Sequence, residues 1–514
     1  MGRVYLVGAG PGDPGLLTRR GEALLARADV VVYDHLASAR LLDLAPRHAL
    51  RICAGKSVGH CTMTQDRIHE VLIEHARAGR SVVRLKGGDP LVFGRGAEEA
   101  LYLRAAGVPF EIVPGVTAGV GVTAYAGIPV THRASASAVA YVTGHTNPES
   151  AEAGDRLDWA ALARFPGTLV VYMGITHLAA ICRTLIREGK SGDTPVAIIE
   201  SGTLAAQRTH VGTLSTLPEA AGRADVRPPG LLVVGEVVAL RSRIDWYERL
   251  PLFGQRIVVT RPASEASRAA AALEAMGAEV ILAPTVEVRP ITDPGPLDAA
   301  IRGLDAFDWL VFTSTNGVRI FIERLESLGR DLRALGRLRL AAIGPATAEA
   351  LAGFHLRADL VPDSYRSESL AAALAQVAKG RKILLARADR GRTVLKDELQ
   401  HLADVTQVAV YHNADAESLP QLVEARILDG SVDWITVTSS AIVSRLHALL
   451  PEPARDRVGR EARLASLSPV TSETAAQLGW NVAVEAAEYT WEGLVQALVE
   501  QIASERQRSQ SPGT

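Results

Sequence analysis

Short apolar runs, rich in β-branched residues, recur along the first part of the chain at Val4–Val7, Val30–Tyr33, Ser81–Leu85 and Phe110–Val113. Runs of this length and composition predict buried strands. Each run ends in a loop that carries polar or glycine residues: Gly8–Asp13, Asp34, Gly87–Asp89 and Gly115–Ala118. Loops at one edge of a parallel sheet can converge on one small molecule. Helices are predicted over Leu16–Arg27 and Gln65–Ala78. A second, alternating series follows at Val139–Val142, Leu169–Tyr172, Val196–Glu200 and Leu231–Val234, with Met173-Gly174 and Glu200-Ser201-Gly202-Thr203 at its ends. The change of pattern near Thr131 predicts two lobes with a cleft between them. Val238–Gly254 has mixed charge and no clear period, and reads as a linker or terminal helix.

The stretch Val82–Glu99 is the richest in possible chemistry. Gly87, Gly88, Gly94 and Gly96 lie among Asp89-Pro90, Lys86 and Arg95, more than an ordinary strand–turn–helix corner needs. Glycine permits backbone angles closed to other residues and close approach of a ligand to the main chain. Asp89 places a carboxylate at the carboxyl end of a strand, where open α/β sheets bind ligands.

Strands resume at Arg256–Thr260, and the remainder contains a long repeat. Asp308–Ser314 recurs 125 positions later as Asp433–Ser439, and Ala342–Pro345 recurs 124 positions later as Ser466–Pro469. Two long copies predict a duplicated α/β unit whose lobes face each other, and exclude a solenoid. Hydroxyl and amide side chains at the strand tips (Thr313, Ser314, Asn316, Ser439 and Ser440) would line the cleft. Arg261 and Arg387 follow matching strands. The serines also fit as helix caps.

Composition narrows the picture. A chain of 514 residues exceeds one ordinary core, and two to four domains are expected. The net charge of −2 creates no global field for nucleic acid, so an acidic substrate must be met by local cations. Cys53, Cys61 and Cys182 form no CxxC pattern, and read as free thiols in a reducing cytoplasm. No apolar run reaches bilayer length, and the N-terminus lacks the features of an export signal. No metal-ligand spacing is present. Gly10, Gly12 and Gly15 fit G-x-G-x-x-G with Asp34 near the distance of a ribose contact. Pro11 and Pro14 rigidify that turn, which counts against a nicotinamide site. The alternative is a nicotinamide-dependent dehydrogenase fused to a two-lobed binding module.

The motifs VGAGPGDPGLLT, VVVYDHL, VRLKGGDPLVFGRGAEE, VPGVTAG, AYAGIPVTHR, LVVYMG and IIESGT…QR occur in order from Val7 to Arg208. Together they resemble the uroporphyrinogen-III C-methyltransferases, tetrapyrrole methylases that use S-adenosylmethionine and release S-adenosylhomocysteine. The resemblance implies that Pro11, Gly87, Gly88, Asp89, Val92, Thr117, Ala118, Met173 and Gly202 line the cofactor. It assigns Asp34 as proton acceptor and Lys56 as proton donor. A substrate with eight carboxylates makes Arg19, Arg20, Arg95, His132 and Arg133 candidate anchors.

In the second half, VTRP, FTSTNGV, AIGPATAEAL, SYRSESL, VAVYHN and VTSSAIV resemble the uroporphyrinogen-III synthases. That family has two α/β lobes joined by a two-stranded connection, and Tyr411 matches a tyrosine placed at its cleft. Ser468 departs from the first repeat, which has Gly344.

The expected fold class is α/β: a two-lobed methylase domain at residues 1–247, then a duplicated two-lobed synthase domain at residues 252–505. The synthase lobes would span about 254–287 plus 413–505, and 288–412, with a disordered tail at 506–514. The resemblance implies a bifunctional enzyme. One half cyclises hydroxymethylbilane to uroporphyrinogen III with inversion of ring D and loss of water. The other methylates that product twice to precorrin-2, the entry to siroheme and cobalamin. It also implies a homodimer through the methylase half, with no nucleic-acid or membrane partner. Siroheme-forming relatives often carry a dehydrogenase–ferrochelatase module; nothing of that kind is seen here, and that third activity is not expected.

Overall fold

The structure, a computed structural model, describes residues 2–46, 48–55, 63–146, 148–149, 157–364, 367–389 and 394–510. It divides into two compact units. One comprises Met1–Gln255 with Met276–Glu279, the other Arg256–Ala275 with Val280–Thr514.

The first unit has two lobes. In the first lobe, β1 (Arg3–Gly8), β2 (Val30–Tyr33), β3 (Leu50–Cys53), β4 (Ser81–Lys86) and β5 (Phe110–Val113) form a sheet of order β3-β2-β4-β1-β5. Every pairing in it is parallel. Apolar side chains of β1 and β4 feed a separate core on each face, one containing Val7, Val83 and Leu85, the other Val4, Leu6 and Val82. Burial on both faces explains why these strands read as continuous apolar runs. In the second lobe, β6 (Val139–Thr143), β7 (Thr168–Tyr172), β8 (Pro195–Glu200), β9 (Arg208–Thr213) and β10 (Gly230–Val234) take the order β6-β7-β10-β8-β9. Only β6 and β7 pair in parallel.

Three expectations change. The first helix spans Arg19–Leu25, capped by Thr18, and Asp13 caps a separate 3-10 turn at Pro14–Leu16. Two capping side chains five residues apart split the stretch. The edge strands β3 and β9 were not foreseen, because an edge carries polar and charged residues where a central strand carries apolar ones. The segment after β10 is neither a free linker nor one helix. It folds as short turns, Glu236–Leu240, Arg241–Ile244 and Tyr247–Arg249, with Tyr247 buried.

The second unit also has two sheets. Its strands are β11 (Arg256–Val259), β12 (Glu279–Leu282), β13 (Val286–Pro290), β14 (Trp309–Phe312), β15 (Arg339–Ala342), β16 (Lys382–Ala388), β17 (Asp404–Asp415), β18 (Trp434–Val437), β19 (Arg463–Ser466) and β20 (Val482–Glu485). One sheet is ordered β12-β11-β18-β19-β20 and the other β13-β17-β16-β14-β15. β17 pairs with β16 along its first part and antiparallel with β13 along its last, from Val286↔Asp415 to Pro290↔Tyr411. The repeat is visible in backbone detail. Ser314 caps the helix Thr315–Ser327 and Ser439 caps Ser440–Leu449, both extended, at φ −163° and −161°. Gly344 and Ser468 precede Pro345 and Pro469 at φ −171° and −159°. Extended backbone is open to any residue, so serine replaces glycine there without strain. The helix Trp491–Gln510 carries residues 506–510, which the sequence analysis assigns to a disordered tail. Arg and Gln continue a helix readily, and Arg463 pairs with Glu505 at 2.6 Å just before them.

Candidate functional site

In the first unit, glycine-bearing loops from three strand ends meet backbone to backbone. Gly10 and Gly88 exchange hydrogen bonds, Gly88 N–H to Gly10 O at 2.7 Å and Gly10 N–H to Gly88 O at 3.2 Å. A Cβ on Gly8 would lie 2.5 Å from Gly115 Cα, and one on Gly115 would lie 2.3 Å from Gly88 O. Gly8 and Gly115 are therefore glycines because loop packs on loop. Asp89 ties the same loops: Oδ1 accepts from Leu91 N–H at 2.8 Å and Oδ2 from Gly115 N–H at 2.9 Å.

The second lobe closes on these loops. Tyr172, at the end of β7, accepts from Gly119 N–H at 2.6 Å and shares a 2.7 Å hydrogen bond with Thr117 Oγ1. Burial pushes its phenol above the ordinary value, against those two hydrogen bonds. Asp13 N–H donates to Thr203 Oγ1 at 3.0 Å. A Cβ on Gly121 would meet the Pro11 ring at 2.7 Å, and one on Gly202 would meet Val122 at 2.3 Å. Pro11, Gly87, Gly88, Asp89, Val92, Thr117, Ala118, Met173 and Gly202 thus belong to one set of touching loops between the two lobes. Five of the seven non-glycine residues with left-handed backbone among the described residues also lie in these loops: Phe93, Arg95, Met173, Ser201 and Thr203. Such residues cost about 1–3 kcal/mol each and persist only where their surroundings over-determine them.

Beside the Gly87 turn lies a buried charge cluster that sequence reasoning missed. Arg84 NH2 contacts Asp34 Oδ1 at 2.5 Å, and its Nε reaches Glu99 Oε1 at 3.2 Å. Lys86 Nζ contacts the same Glu99 oxygen at 2.8 Å, as does Gln65 Nε2 at 3.1 Å. Arg84, Lys86 and Glu99 are buried. Burial, and then the neighbouring Arg84, pull the Lys86 ammonium below its ordinary value, with Glu99 acting against them. Among the described residues Asp34 Oδ2 makes no hydrogen bond. The signal in the sequence was a pair of cations, Arg84 and Lys86, on one face of a strand read as buried.

Of the other expected residues, Lys56 and Cys61 lie outside the described residues. Arg95 is exposed and paired with Glu98 at 2.6 Å. Arg20 is paired with Glu111, and Arg19, His132 and Arg133 are exposed. His132 Nδ1 lies 3.2 Å from Ser135 Oγ. Of these cations Arg95 lies in the Gly87–Gly96 loop itself, with its side chain paired to Glu98.

In the second unit, Thr313, Ser314 and Asn316 follow β14 of one sheet, whereas Arg387, expected after a strand, lies buried inside β16, which runs on to Ala388. Arg261, Ser439 and Ser440 follow β11 and β18 of the other. Tyr411, buried in β17, lies 2.9 Å from Ser314 Oγ, so the structure brings these two together. Ser440 Oγ donates to Val470 O at 3.2 Å and accepts from Thr474 Oγ1 at 2.8 Å, within its own lobe. The Arg261 guanidinium lies over the Trp491 ring at 5.3 Å.

The family profile of Tetrapyrrole (Corrin/Porphyrin) Methylases matches residues 3–218, and that of Uroporphyrinogen-III synthase HemD matches residues 267–496. "Porphyrin biosynthesis protein HemD" of Ruminiclostridium josui is 36% identical over 458 residues, which is 88% of this chain and 89% of the relative. The chain belongs to this family of fused tetrapyrrole methylases and uroporphyrinogen-III synthases. "Siroheme synthase 1" of Yersinia pseudotuberculosis is 52% identical over 251 residues, 49% of this chain and 52% of that protein. The match therefore spans about half the length of that relative. Among solved structures, the uroporphyrin-III C-methyl transferase of Thermus thermophilus complexed with S-adenyl homocysteine is 44% identical. It covers 46% of this chain and 100% of its own, with a TM-score of 0.40. The uroporphyrinogen III synthase of the same organism, in a mutant form, is 18% identical, covers 49% and 99%, and has a TM-score of 0.34. The glycine loops of the first unit are those of the methylase half, and the paired sheets of the second unit form the synthase half. The dehydrogenase alternative finds no support. The glycine turn leads into a capped 3-10 turn, not directly into the long helix whose N-terminus a dinucleotide phosphate needs.

Proposed function

We propose that this chain performs two consecutive steps of tetrapyrrole synthesis. The synthase half closes hydroxymethylbilane to uroporphyrinogen III, inverting ring D and losing water. The methylase half transfers two methyl groups to that product, giving precorrin-2. The observation that carries the methylase reading is the convergence of glycine-bearing loops from both lobes beside the carboxylate of Asp34.

The residues present suit S-adenosylmethionine. The loops offer main chain at close range, strained residues held in place, and the Thr117–Tyr172 pair. Pro11, Gly87, Gly88, Val92, Thr117, Ala118, Met173 and Gly202 would hold the cofactor, with Asp89 keeping two of the loops together. When bound, it supplies an electrophilic methyl group on a sulfonium. The chain's own task is alignment, which alone lowers a bimolecular barrier substantially. Leu36, Leu91, Phe93, Met173 and Leu204 on these loops, and Val120 on the helix Ala118–Tyr125, are exposed apolar residues suited to the pyrrole rings of a macrocycle. Arg95, His132 and Arg133 are cations for its carboxylates. Asp34 would accept the proton released as the macrocycle rearranges. Arg84 occupies Oδ1, which leaves Oδ2 to take it. Lys56 is proposed as the proton donor on family resemblance alone.

For the synthase half, the groups at the strand tips are neutral donors, with Arg261 and Arg387 beside them. Tyr411 and Ser314 form a hydroxyl pair suited to hold carboxylates or a developing charge. Catalysis by positioning fits such a set better than acid or nucleophilic attack. A cytoplasmic location and a dimer through the methylase half complete the proposal. Both rest on the family resemblance; among the described residues no helix is long and apolar enough to cross a membrane.

The test is Asp34→Asn in the full chain. Methylation of supplied uroporphyrinogen III should fall by a factor of about 10²–10⁴, the usual contribution of a positioned base. Calorimetric S-adenosylhomocysteine binding and cyclisation should stay at wild-type values. A wild-type methylation rate would remove Asp34 from the mechanism.

A further inference from the structure

The segment that follows the second lobe reaches back to the loops of the methylase site. Thr203 adopts φ +70°, a left-handed conformation costly for a β-branched residue. Its polar groups are all engaged. Thr203 N–H donates to Gln207 Oε1 at 2.8 Å, its Oγ1 accepts from Asp13 N–H at 3.0 Å, and its carbonyl accepts from Tyr247 O–H at 3.2 Å. Gln207 is itself fixed: its Nε2 donates to Glu248 Oε1 at 2.8 Å. The same oxygen accepts from Thr209 Oγ1 at 2.5 Å, and Glu248 Oε2 pairs with Arg241 at 2.5 Å. Arg241 also donates to Ala126 O, at the end of the helix Ala118–Tyr125. The ring of Tyr247 packs against Tyr125 at 4.7 Å, and Tyr125 O–H donates to Asp13 Oδ2 at 2.5 Å.

Thr203 follows Gly202, and Asp13 closes the Gly8–Asp13 loop. A strained residue stays strained only while its neighbours hold it. Here the holding groups come from Tyr247 directly and from Glu248 through Gln207, in a stretch that lies beyond every motif of the methylase family resemblance.

We propose that Tyr247 and Glu248 are positioning residues for the methyl-donor site, holding the Ser201–Thr203 loop against the Asp13 loop in the geometry that binds the cofactor. The proposal rests on the reading of these loops as an S-adenosylmethionine site.

The test uses the full chain with Tyr247→Phe and Glu248→Gln. Tyr247→Phe keeps the ring packing and deletes one hydrogen bond. It should weaken S-adenosylhomocysteine binding about three- to tenfold by calorimetry, the range of one ordinary hydrogen bond. The KM for S-adenosylmethionine should rise in proportion, while the KM for uroporphyrinogen III, kcat at saturating cofactor and the rate of cyclisation stay unchanged. Glu248→Gln opposes an amide to Arg241 and should lose about tenfold or more. If it fails to fold, Tyr247→Phe decides alone. Wild-type affinity and KM in Tyr247→Phe would overturn the proposal. So would an equal rise in the KM for uroporphyrinogen III, the mark of a loosened domain. A wild-type chain that binds no S-adenosylhomocysteine would instead overturn the cofactor reading beneath it.

Discussion

Asp89 shows how a single side chain can tie two loops together. Both its oxygens are spent on backbone donors, Leu91 N–H and Gly115 N–H. Asp89→Ala leaves two loops untied, and S-adenosylhomocysteine affinity should fall about tenfold by calorimetry while cyclisation is unaffected. Arg84 is the costlier loss. It is buried between Asp34 and Glu99, and Arg84→Met leaves the Glu99 carboxylate with Lys86 as its remaining cation and Gln65 as its neutral donor. Removing one member of a buried charge set costs about 3–5 kcal/mol, readable as a shift in denaturant midpoint. In the synthase half, Tyr411→Phe deletes the contact to Ser314 and keeps the ring. Formation of the type III isomer should slow about five- to tenfold, with more type I by chromatography. Asp34 and Asp89 were legible because turn chemistry and motif order single them out. Arg84 and Glu99 were not, because a charge fifteen residues from its buried partner looks in a sequence like any surface charge.

Among the elements, central strands declared themselves through unbroken apolar runs, and the polar edges β3 and β9 did not. β9 carries Arg208 and His210, and both turn out to serve Glu200 on the neighbouring β8. Burial alone would raise the Glu200 carboxyl. The Arg227 N–H, His210 and Arg208 together outweigh it and bring it below the ordinary value. A depressed folded value means stability that is present above the unfolded value and lost as pH falls through the folded one. Glu200→Gln should therefore destabilise the chain by about 1–2 kcal/mol at pH 7, a difference that vanishes well below pH 4 in denaturant titrations. Equal stability at pH 7 would show that the cluster contributes nothing. The segment from Glu236 to Arg249 was illegible for another reason. It has no period because its contacts are made at separate points, Val237 and Val238 in the core and Tyr247 and Glu248 against the loops, and not along one face of a helix.

At the scale of the whole molecule, the duplication in the second half was readable from constant spacing alone, since equal offsets survive where residue identities do not. The boundary between the halves was harder to read. A break after residue 247 separates Tyr247 from Glu248, whereas the first compact unit runs to Gln255. We expect residues 1–255 to methylate supplied uroporphyrinogen III, and a fragment ending at 247 to bind S-adenosylhomocysteine at least about tenfold more weakly. The central claim is that one chain joins closure and methylation. It is tested most directly by giving the full chain hydroxymethylbilane, with and without S-adenosylmethionine, and resolving the products by chromatography and mass. The account predicts uroporphyrinogen III without the methyl donor and its dimethylated derivative, precorrin-2, with it. Unmethylated type I isomer under both conditions would contradict it.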